Sequence, residues 1–465
     1  MRLLPFEFER IADEKVFISN LSGFNQILNT SDFDLLCSDT GKISESLLTV
    51  LQSKHFLAAP ENISASETIL AAGYGKKLVS ELVFRPVFMV VPTLRCDHTC
   101  TYCQVARAPI DRPEFDMSPE LITNTVERIA QIGVAPYVIE IQGGEPLLRF
   151  DLIKQLYSEC EDQLGVGQFN VVIASTLSLL TDEILEWCKP RRVEFSFSLD
   201  GDASIHDNSR ILASDSSYSR AIHGARSVMA CLGPDRLGVV TTVTKALLTE
   251  PEKLIEGFRE AGLRQFFVRP ISPYGFAKNW QDNSYTLSEY FDFYRRFLQE
   301  LKKQWEAGYG VGEHSFKVHV KRLSDPRFNC YADLKSPSGF GLNTLLFNFD
   351  GKIYGSDEAR MLQRLHPEID FSLGPIDSPE LVISELTHSI IDGGINFDKP
   401  GCSSCAFQPY CGGDPMQNIS LFGEPIGDKS LSHFCEYHRG MFKLVIAYLS
   451  GDRSDQAFAA ALADE

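Results

Sequence analysis

An α/β fold is predicted for this chain on three observations. Between residues 85 and 270, six short apolar runs rich in Val, Ile and Phe alternate with segments of helical periodicity. Glycine- and serine-rich turns follow several of these runs, as at Gln142-Gly143-Gly144-Glu145-Pro146, where parallel α/β folds place their ligand sites. At 465 residues the chain is also too long for one core, so flanking domains are expected.

In order, 16–20 reads as a strand, Gly23 as a turn and 26–28 as a second strand, with serine-capped helices at 31–36 and 44–51. The Ser- and Ala-rich stretch 61–80 is expected to serve as a linker ending in a helical pattern. Strands follow at 86–92, 137–142, 169–174, 193–199, 237–244 and 265–270. Helices intervene at 118–133, 152–161, 181–188, 219–231 and 252–261. Pro119 falls in the first turn of its helix, where its missing N–H is tolerated. Residues 285–305 form a long helix whose aromatics crowd one side, a packing face.

With 44 Lys and Arg against 62 Asp and Glu, the net charge is -18 and the pI near 5.1, which argues against nucleic acid as a partner. No apolar run reaches the roughly 18 residues that span a bilayer, and the N-terminus lacks the apolar region of a signal peptide. No membrane and a cytoplasmic address are expected. There the 12 cysteines are read as thiols or metal ligands rather than disulfides.

The chemistry concentrates at Cys96, Cys100 and Cys103, spaced C-x3-C-x2-C with Tyr102 before the last. Three thiolates on one loop hold three irons of a [4Fe-4S] cluster and leave the fourth open to a small molecule. A closed zinc site wants four ligands, and His98 lies inside the loop rather than at a fitting distance.

This run, Cys96-Asp97-His98-Thr99-Cys100-Thr101-Tyr102-Cys103, resembles the signature of the radical S-adenosylmethionine (SAM) superfamily. The resemblance implies a partial (β/α)6 barrel in which SAM, chelated at the open iron, is cleaved to a 5'-deoxyadenosyl radical. It places Tyr102 against the adenine and makes Gly143, Gly144 and Glu145 the turn that takes the SAM amino group. Ser198 and Asp200 of Ser198-Leu199-Asp200-Gly201 fall beside the ribose and carboxylate, and Ser175 is a further SAM contact. Arg210 is read either as a bidentate partner of the SAM carboxylate or as a surface ion pair with Asp207. Val243 and Arg269-Pro270 border the adenine and substrate, with barrel core the plainer reading of Val243.

Beyond the barrel, Cys402, Cys405, Cys411 and Cys435 are spaced C-x2-C-x5-C-x23-C, enough for a closed cluster, with zinc the chemical alternative. The block resembles the SPASM extension, which carries auxiliary [4Fe-4S] clusters. Two of the seven SPASM cysteines are replaced by Ser356 and Pro415, and Cys330 is left without partners. A second auxiliary cluster is therefore expected to be absent, Asp357 and Asp414 being the only substitute ligands at hand. Cys37, Cys160, Cys188 and Cys231 sit in apolar helical contexts and read as buried thiols.

The expected segments are 1–82, an α+β domain resembling the winged-helix domains that bind leader peptides by strand addition, with its linker; 83–305, the radical SAM core; 306–440, the SPASM-like iron-sulfur domain; and 441–465, a C-terminal helix and tail. The stretches Leu4-Pro5-Phe6 to Asn20, Gly351 to Leu362 and Tyr410 to Pro415 resemble the peptide maturases of the His-Xaa-Ser system. That implies hydrogen abstraction from a ribosomally synthesised precursor peptide and an intramolecular crosslink, with flavodoxin or ferredoxin as electron donor. Formylglycine formation needs the same core. A non-catalytic iron-sulfur carrier or scaffold would have no use for the glycine-glutamate turn or the serine-aspartate strand end.

Overall fold

The computed structural model describes residues 1–12, 14–213, 215–272, 274, 284–328, 331–428 and 431–464. The chain forms two compact units, one of residues 84–314 and 340–388, the other of 1–83, 315–339 and 389–465.

The first unit is built on β1 (Val87–Thr93), β2 (Tyr137–Gly143), β3 (Phe169–Ser175), β4 (Val193–Ser198), β5 (Leu237–Thr242) and β6 (Val268–Arg269). Successive strands pair in parallel, the geometry of an open six-stranded α/β barrel. Three further strands extend the β1 edge: β7 (Thr344–Phe347) parallel to β1, then β8 (Lys352–Tyr354) and β9 (Ser372–Pro375) antiparallel, giving the order β6-β5-β4-β3-β2-β1-β7-β8-β9. The expected strand 265–270 is split. Gln265–Phe266 leaves the sheet to pair with Gly312–Glu313, and only Val268–Arg269 joins β5.

Side-chain alternation sorts the two faces. On β2 to β4, Ile139, Ile141, Val171, Ile173, Val193, Phe195 and Phe197 are at most 1% exposed. They share the core with Ile122, Val126 and Ile129 of α1 (Pro119–Ile132) and Leu152, Ile153 and Leu156 of α2 (Phe150–Leu164). The alternate positions Glu140, Gln142, Val172, Ala174, Ser196 and Ser198 are only half-buried, so the inner face is not packed shut. The long helix Leu287–Glu306 starts in a capping box of Thr286 and Glu289. Its Tyr290, Phe293, Tyr294 and Phe297 are fully buried, as a packing face requires.

The second unit opens with an antiparallel sheet of Glu7–Ala12, Lys15–Ser19 and Asn25–Asn29. Its core is Val16, Ile18, Leu28, Phe33, Leu36, Leu51 and Phe56. The strand Glu7–Ala12 has no clear sequence signal because Glu7, Glu9 and Arg10 interrupt its apolar positions. The helical pattern expected at the end of 61–80 runs through nearly all of it: the helix Ile63–Glu81 follows the turn Pro60–Asn62 and buries Lys77 and Glu81. Helices His433–Leu449 and Arg453–Asp464 close the chain. Cys160 and Cys188 are buried as expected, whereas Cys37 is exposed and Cys231 half-buried, so these two are not core thiols. Cys330 lies outside the described residues.

Candidate functional site

The cysteine loop leaves the C-terminal end of β1 and is fastened before it reaches its first thiol. Arg95 donates from Nε and Nη2 to Asp116 Oδ1 and Oδ2 (2.8 and 2.6 Å), and Thr93 Oγ1 and Arg149 Nη1 donate to the same carboxylate (2.6 and 2.9 Å). Burial pushes Asp116 up, but these donors outweigh it and hold the carboxyl below its usual range. Further along, His98–Cys100 pairs antiparallel with Arg210–Leu212, setting Arg210 opposite Cys100.

Gly143 and Gly144 have a backbone role here. A Cβ on Gly143 (φ 130°) would stand 2.3 Å from the Thr93 carbonyl oxygen, and one on Gly144 2.1 Å from that of Arg95. Gly144 N–H donates to Thr93 O (3.0 Å) and Glu145 N–H to Arg95 O (2.8 Å). The pair of glycines therefore lets the end of β2 lie directly on the cysteine loop. Glu145 is fully buried. Its Oε1 accepts from Ser175 Oγ (2.8 Å) and Leu147 N–H (3.0 Å), its Oε2 from Thr176 N–H and Oγ1 (both 2.7 Å). Burial raises its pKa, with the Thr176 hydrogen bonds opposing. Glu145 and Ser175 thus tie β2 to β3 beneath the loop.

Tyr102, Asp200 and Arg210, separate in the sequence, form one buried group. Tyr102 donates its hydroxyl to Asp200 Oδ2, Arg210 Nη1 donates to Tyr102 Oη (2.5 Å), and Arg210 lies 3.8 Å from Asp200. Thr242 N–H fills Asp200 Oδ1 (3.1 Å). Asp207 accepts instead from Ser216 Oγ (2.8 Å) and Tyr218 N–H (2.7 Å), so Arg210 is not in a surface pair with it. Ser198 ends β4, half-buried, and Val243 is buried core.

One chain of contacts is not visible in the motifs. Asp200 N–H donates to His206 Nδ1 (3.2 Å), which assigns the imidazole proton to Nε2, the donor to Ser217 Oγ (3.1 Å). Ser217 then donates to His98 Nε2 (2.8 Å), and His98 Nδ1–H to Asp97 Oδ1 (2.7 Å). Ser178 Oγ donates to Asp97 Oδ2 (2.5 Å). Burial keeps His206 neutral, its pKa far below the ordinary value, and Arg210 pushes the same way. The sequence held a clue in Asp97-His98 and His206-Asp207, but spacing does not say which residues meet.

The thiols feel one another. Burial raises Cys96, and Cys100 and Glu145 add to it. Burial pushes Cys100 up to about 11, Arg210 opposing and Cys103 adding. Such thiols become thiolates only with a cationic partner among them. Cys96, Asp97 and His98 form the one group of three metal-capable side chains found within 4.8 Å among the described residues, and there Asp97 and His98 are bonded to each other. On the inner face, Asp357 and Arg269 both act on Glu140, whose carboxyl burial raises; Asp357 adds and Arg269 opposes.

In the second unit, Cys402, Cys405, Cys411 and Cys435 converge. Burial raises Cys411 far above an ordinary thiol, and Cys435, Cys402 and Cys405 each push it further. Phe407 N–H donates to Cys405 Sγ (3.4 Å), and Cys435 lies in the first turn of His433–Leu449. Four thiols that cannot ionise together unaided suit a [4Fe-4S] cluster. Both substitute ligands have structural roles: Asp357 Oδ1 accepts from Arg360 Nε (2.9 Å), and Asp414 Oδ1 caps a helix at Gln417 N–H (2.9 Å).

Residues 90–230 match the family model of the radical SAM superfamily. This chain carries a radical SAM domain. Proteins of this superfamily bind SAM and a [4Fe-4S] cluster. An uncharacterized protein of Methanothermobacter thermautotrophicus is 24% identical over 205 residues, 44% of this chain and 74% of its own length. Among solved structures, anSMEcpe with bound AdoMet and Cp18Cys peptide superposes with a TM-score of 0.65 at 14% identity, covering 81% of this chain and 99% of its own. Streptococcus suis SuiB bound to precursor peptide SuiA gives 0.55 at 16% identity, covering 94% of this chain and all of its own. At these identities the likeness is one of fold. No described helix is long and apolar enough to cross a membrane.

Proposed function

We propose that this radical SAM chain modifies a side chain of a ribosomally synthesised precursor peptide and closes an intramolecular crosslink, as resemblance to the His-Xaa-Ser maturases suggests. The observation that carries the reading is the presence of two cysteine sets in one chain: an open set of three at the end of β1 and a closed set of four. When bound, SAM and the cluster on Cys96, Cys100 and Cys103 supply a 5'-deoxyadenosyl radical for hydrogen abstraction. Closing a crosslink releases a second electron, and an auxiliary cluster on Cys402, Cys405, Cys411 and Cys435 is the proposed acceptor. A flavodoxin or ferredoxin is the proposed donor of the first.

The chain's own residues then hold SAM. The Tyr102 ring would lie against the adenine, Gly143 and Gly144 would offer backbone at close range, and Glu145, tied to Ser175, sets the end of β2. Ser198, Asp200 and Arg210 would hold the ribose and carboxylate. Residues 1–82 recognise the leader, which adds to one of the edge strands, Glu7–Ala12 or Asn25–Asn29. Solved relatives of similar fold with peptides bound support a peptide substrate.

The test is anaerobic turnover of reconstituted protein with SAM, reductant and the short peptides encoded beside its gene. A product lighter by two hydrogens, formed with 5'-deoxyadenosine, supports the crosslink. Oxidation of a cysteine or serine to an aldehyde would favour formylglycine formation, the second reading, which the fold shared with anSMEcpe supports. Slowed amide exchange in one edge strand on adding peptide would support leader recognition, and no change in either strand would refute it.

A further inference from the structure

Beside the four-cysteine set lies a buried charge that its protein neighbours do not balance. Lys77 is 2% exposed, and Glu81 and Arg322 1% each. Glu81 is the natural partner for Lys77, one turn away on the same helix, but its carboxylate is already taken. Its Oε1 accepts from Arg322 Nη2 and its Oε2 from Ser336 N–H (3.3 Å). Arg322 also donates from Nε to Tyr410 O (3.0 Å), from Nη1 to Phe328 O (2.8 Å) and from Nη2 to Leu334 O (2.7 Å). Among the described residues no hydrogen bond from Lys77 Nζ is found, so two nearly buried cations share one carboxylate. A buried cation in excess is costly unless an anion sits within reach.

A candidate is the cysteine set itself: Arg322, which holds Glu81 one turn from Lys77, also donates to the carbonyl just before Cys411, and the Lys77 and Cys411 charges act on each other. The Cys411 backbone is held in place from both sides. Arg322 binds the carbonyl just before it, and Asn396 Nδ2 donates to Cys411 O (2.7 Å). A Cβ on Gly412 would stand 2.1 Å from Asp333 O, which fixes the strand of chain after the thiol as well. Arg439 is the other cation near these thiols, but it is 48% exposed and paired with Glu9 (2.6 Å), so its charge is offset and screened.

We propose that Lys77 is the buried counter-charge of an iron-sulfur cluster on Cys402, Cys405, Cys411 and Cys435, and that its ammonium raises that cluster's reduction potential. This rests on the cluster reading of those four cysteines. A [4Fe-4S]2+ core with four thiolates is a dianion, and reduction adds one electron without a proton. A fixed positive charge beside it therefore stabilises the reduced form more than the oxidised one, and net charge is one of the factors that set such potentials. Lys77 tunes an electron acceptor and touches no substrate.

The test uses the full chain with Cys96, Cys100 and Cys103 changed to alanine, reconstituted anaerobically, so that only this cluster is present. Its iron content and its midpoint potential, followed by the electron paramagnetic resonance of the reduced cluster, are compared with those of K77M and K77R in the same background. About four irons per chain are expected in the parent, a more negative midpoint in K77M, and a midpoint near the parent in K77R. A K77M midpoint equal to the parent's overturns the proposal. Should K77M fail to load iron, loading by K77R supports a charge requirement, and failure of both variants overturns it. A parent without iron refutes the cluster reading instead, a separate result.

Discussion

The two cysteine sets differ in how the chain builds them. The three thiols of the open set lie within eight residues, on one loop that the end of β2 meets through Gly143 and Gly144 and that its own Arg95 fastens to Asp116. The four thiols of the other set come from segments up to 33 residues apart and are positioned by buried polar groups, Asn396, Arg322 and Ser432. As ligand sets for the proposed clusters, the first would leave one iron open and the second would fill all four. A reactive site and an electron reservoir need that difference.

The largest effect that would break the comparison is loss of the open set. Changing Cys96, Cys100 and Cys103 to alanine should abolish 5'-deoxyadenosine formation while leaving about four irons of an expected eight per chain. A wild-type count near twelve would mean that a third cluster exists, despite the structural engagement of Asp357 and Asp414. Next, alanine at Cys402, Cys405, Cys411 and Cys435 should leave SAM cleavage but remove crosslinked peptide, read as 5'-deoxyadenosine without product. Retained product would show that the closed set is not the electron acceptor.

A smaller effect is expected from the buried contacts behind the loop. Asp97→Ala or Thr176→Val should lower cluster loading or SAM cleavage about 10- to 100-fold, as outer-shell changes at metal sites do. Unchanged loading and rate in both would reduce the Asp97-His98-Ser217-His206 chain and the Glu145-Thr176 contact to packing. The smallest effect concerns pH. Asp116 is held below its unfolded value, so its contribution is present above the usual aspartate pKa of about 3.9 and is lost as pH falls through the lower folded value. Asp116→Asn should cost about 2 kcal/mol at pH 7 and flatten the fall in melting temperature between neutral and acid pH. Equal slopes for both proteins would remove this carboxylate from the account.

The N-terminal region shows where linear reading stops. Removing residues 1–80 looks like a clean excision of a domain and linker when 61–80 is read from composition. In the fold, the helix Ile63–Glu81 carries Lys77, so the cut would remove a buried cation and sever the turn that presents Glu81 to Arg322. Composition did not reveal this because Ser- and Ala-rich sequence suits a linker and a helix alike. Cys37 went astray for a similar reason: an apolar neighbourhood in sequence does not say which face of Thr30–Ser38 points outward.

What the sequence determined was the chemistry that depends on local spacing. The three-cysteine loop, the Gly143-Gly144-Glu145 turn and six alternating strand-helix units are short-range patterns, and thiolate geometry and side-chain periodicity write them directly into the chain. Tertiary structure alone decided which polar groups meet: Tyr102 with Asp200 and Arg210, His98 with Ser217, Glu145 with Thr176, and Glu81 with Arg322. Those pairs lie from 31 to 241 residues apart in the sequence. Burial removes their water and makes each depend on partners that only the parallel sheet and the packed helices bring within reach.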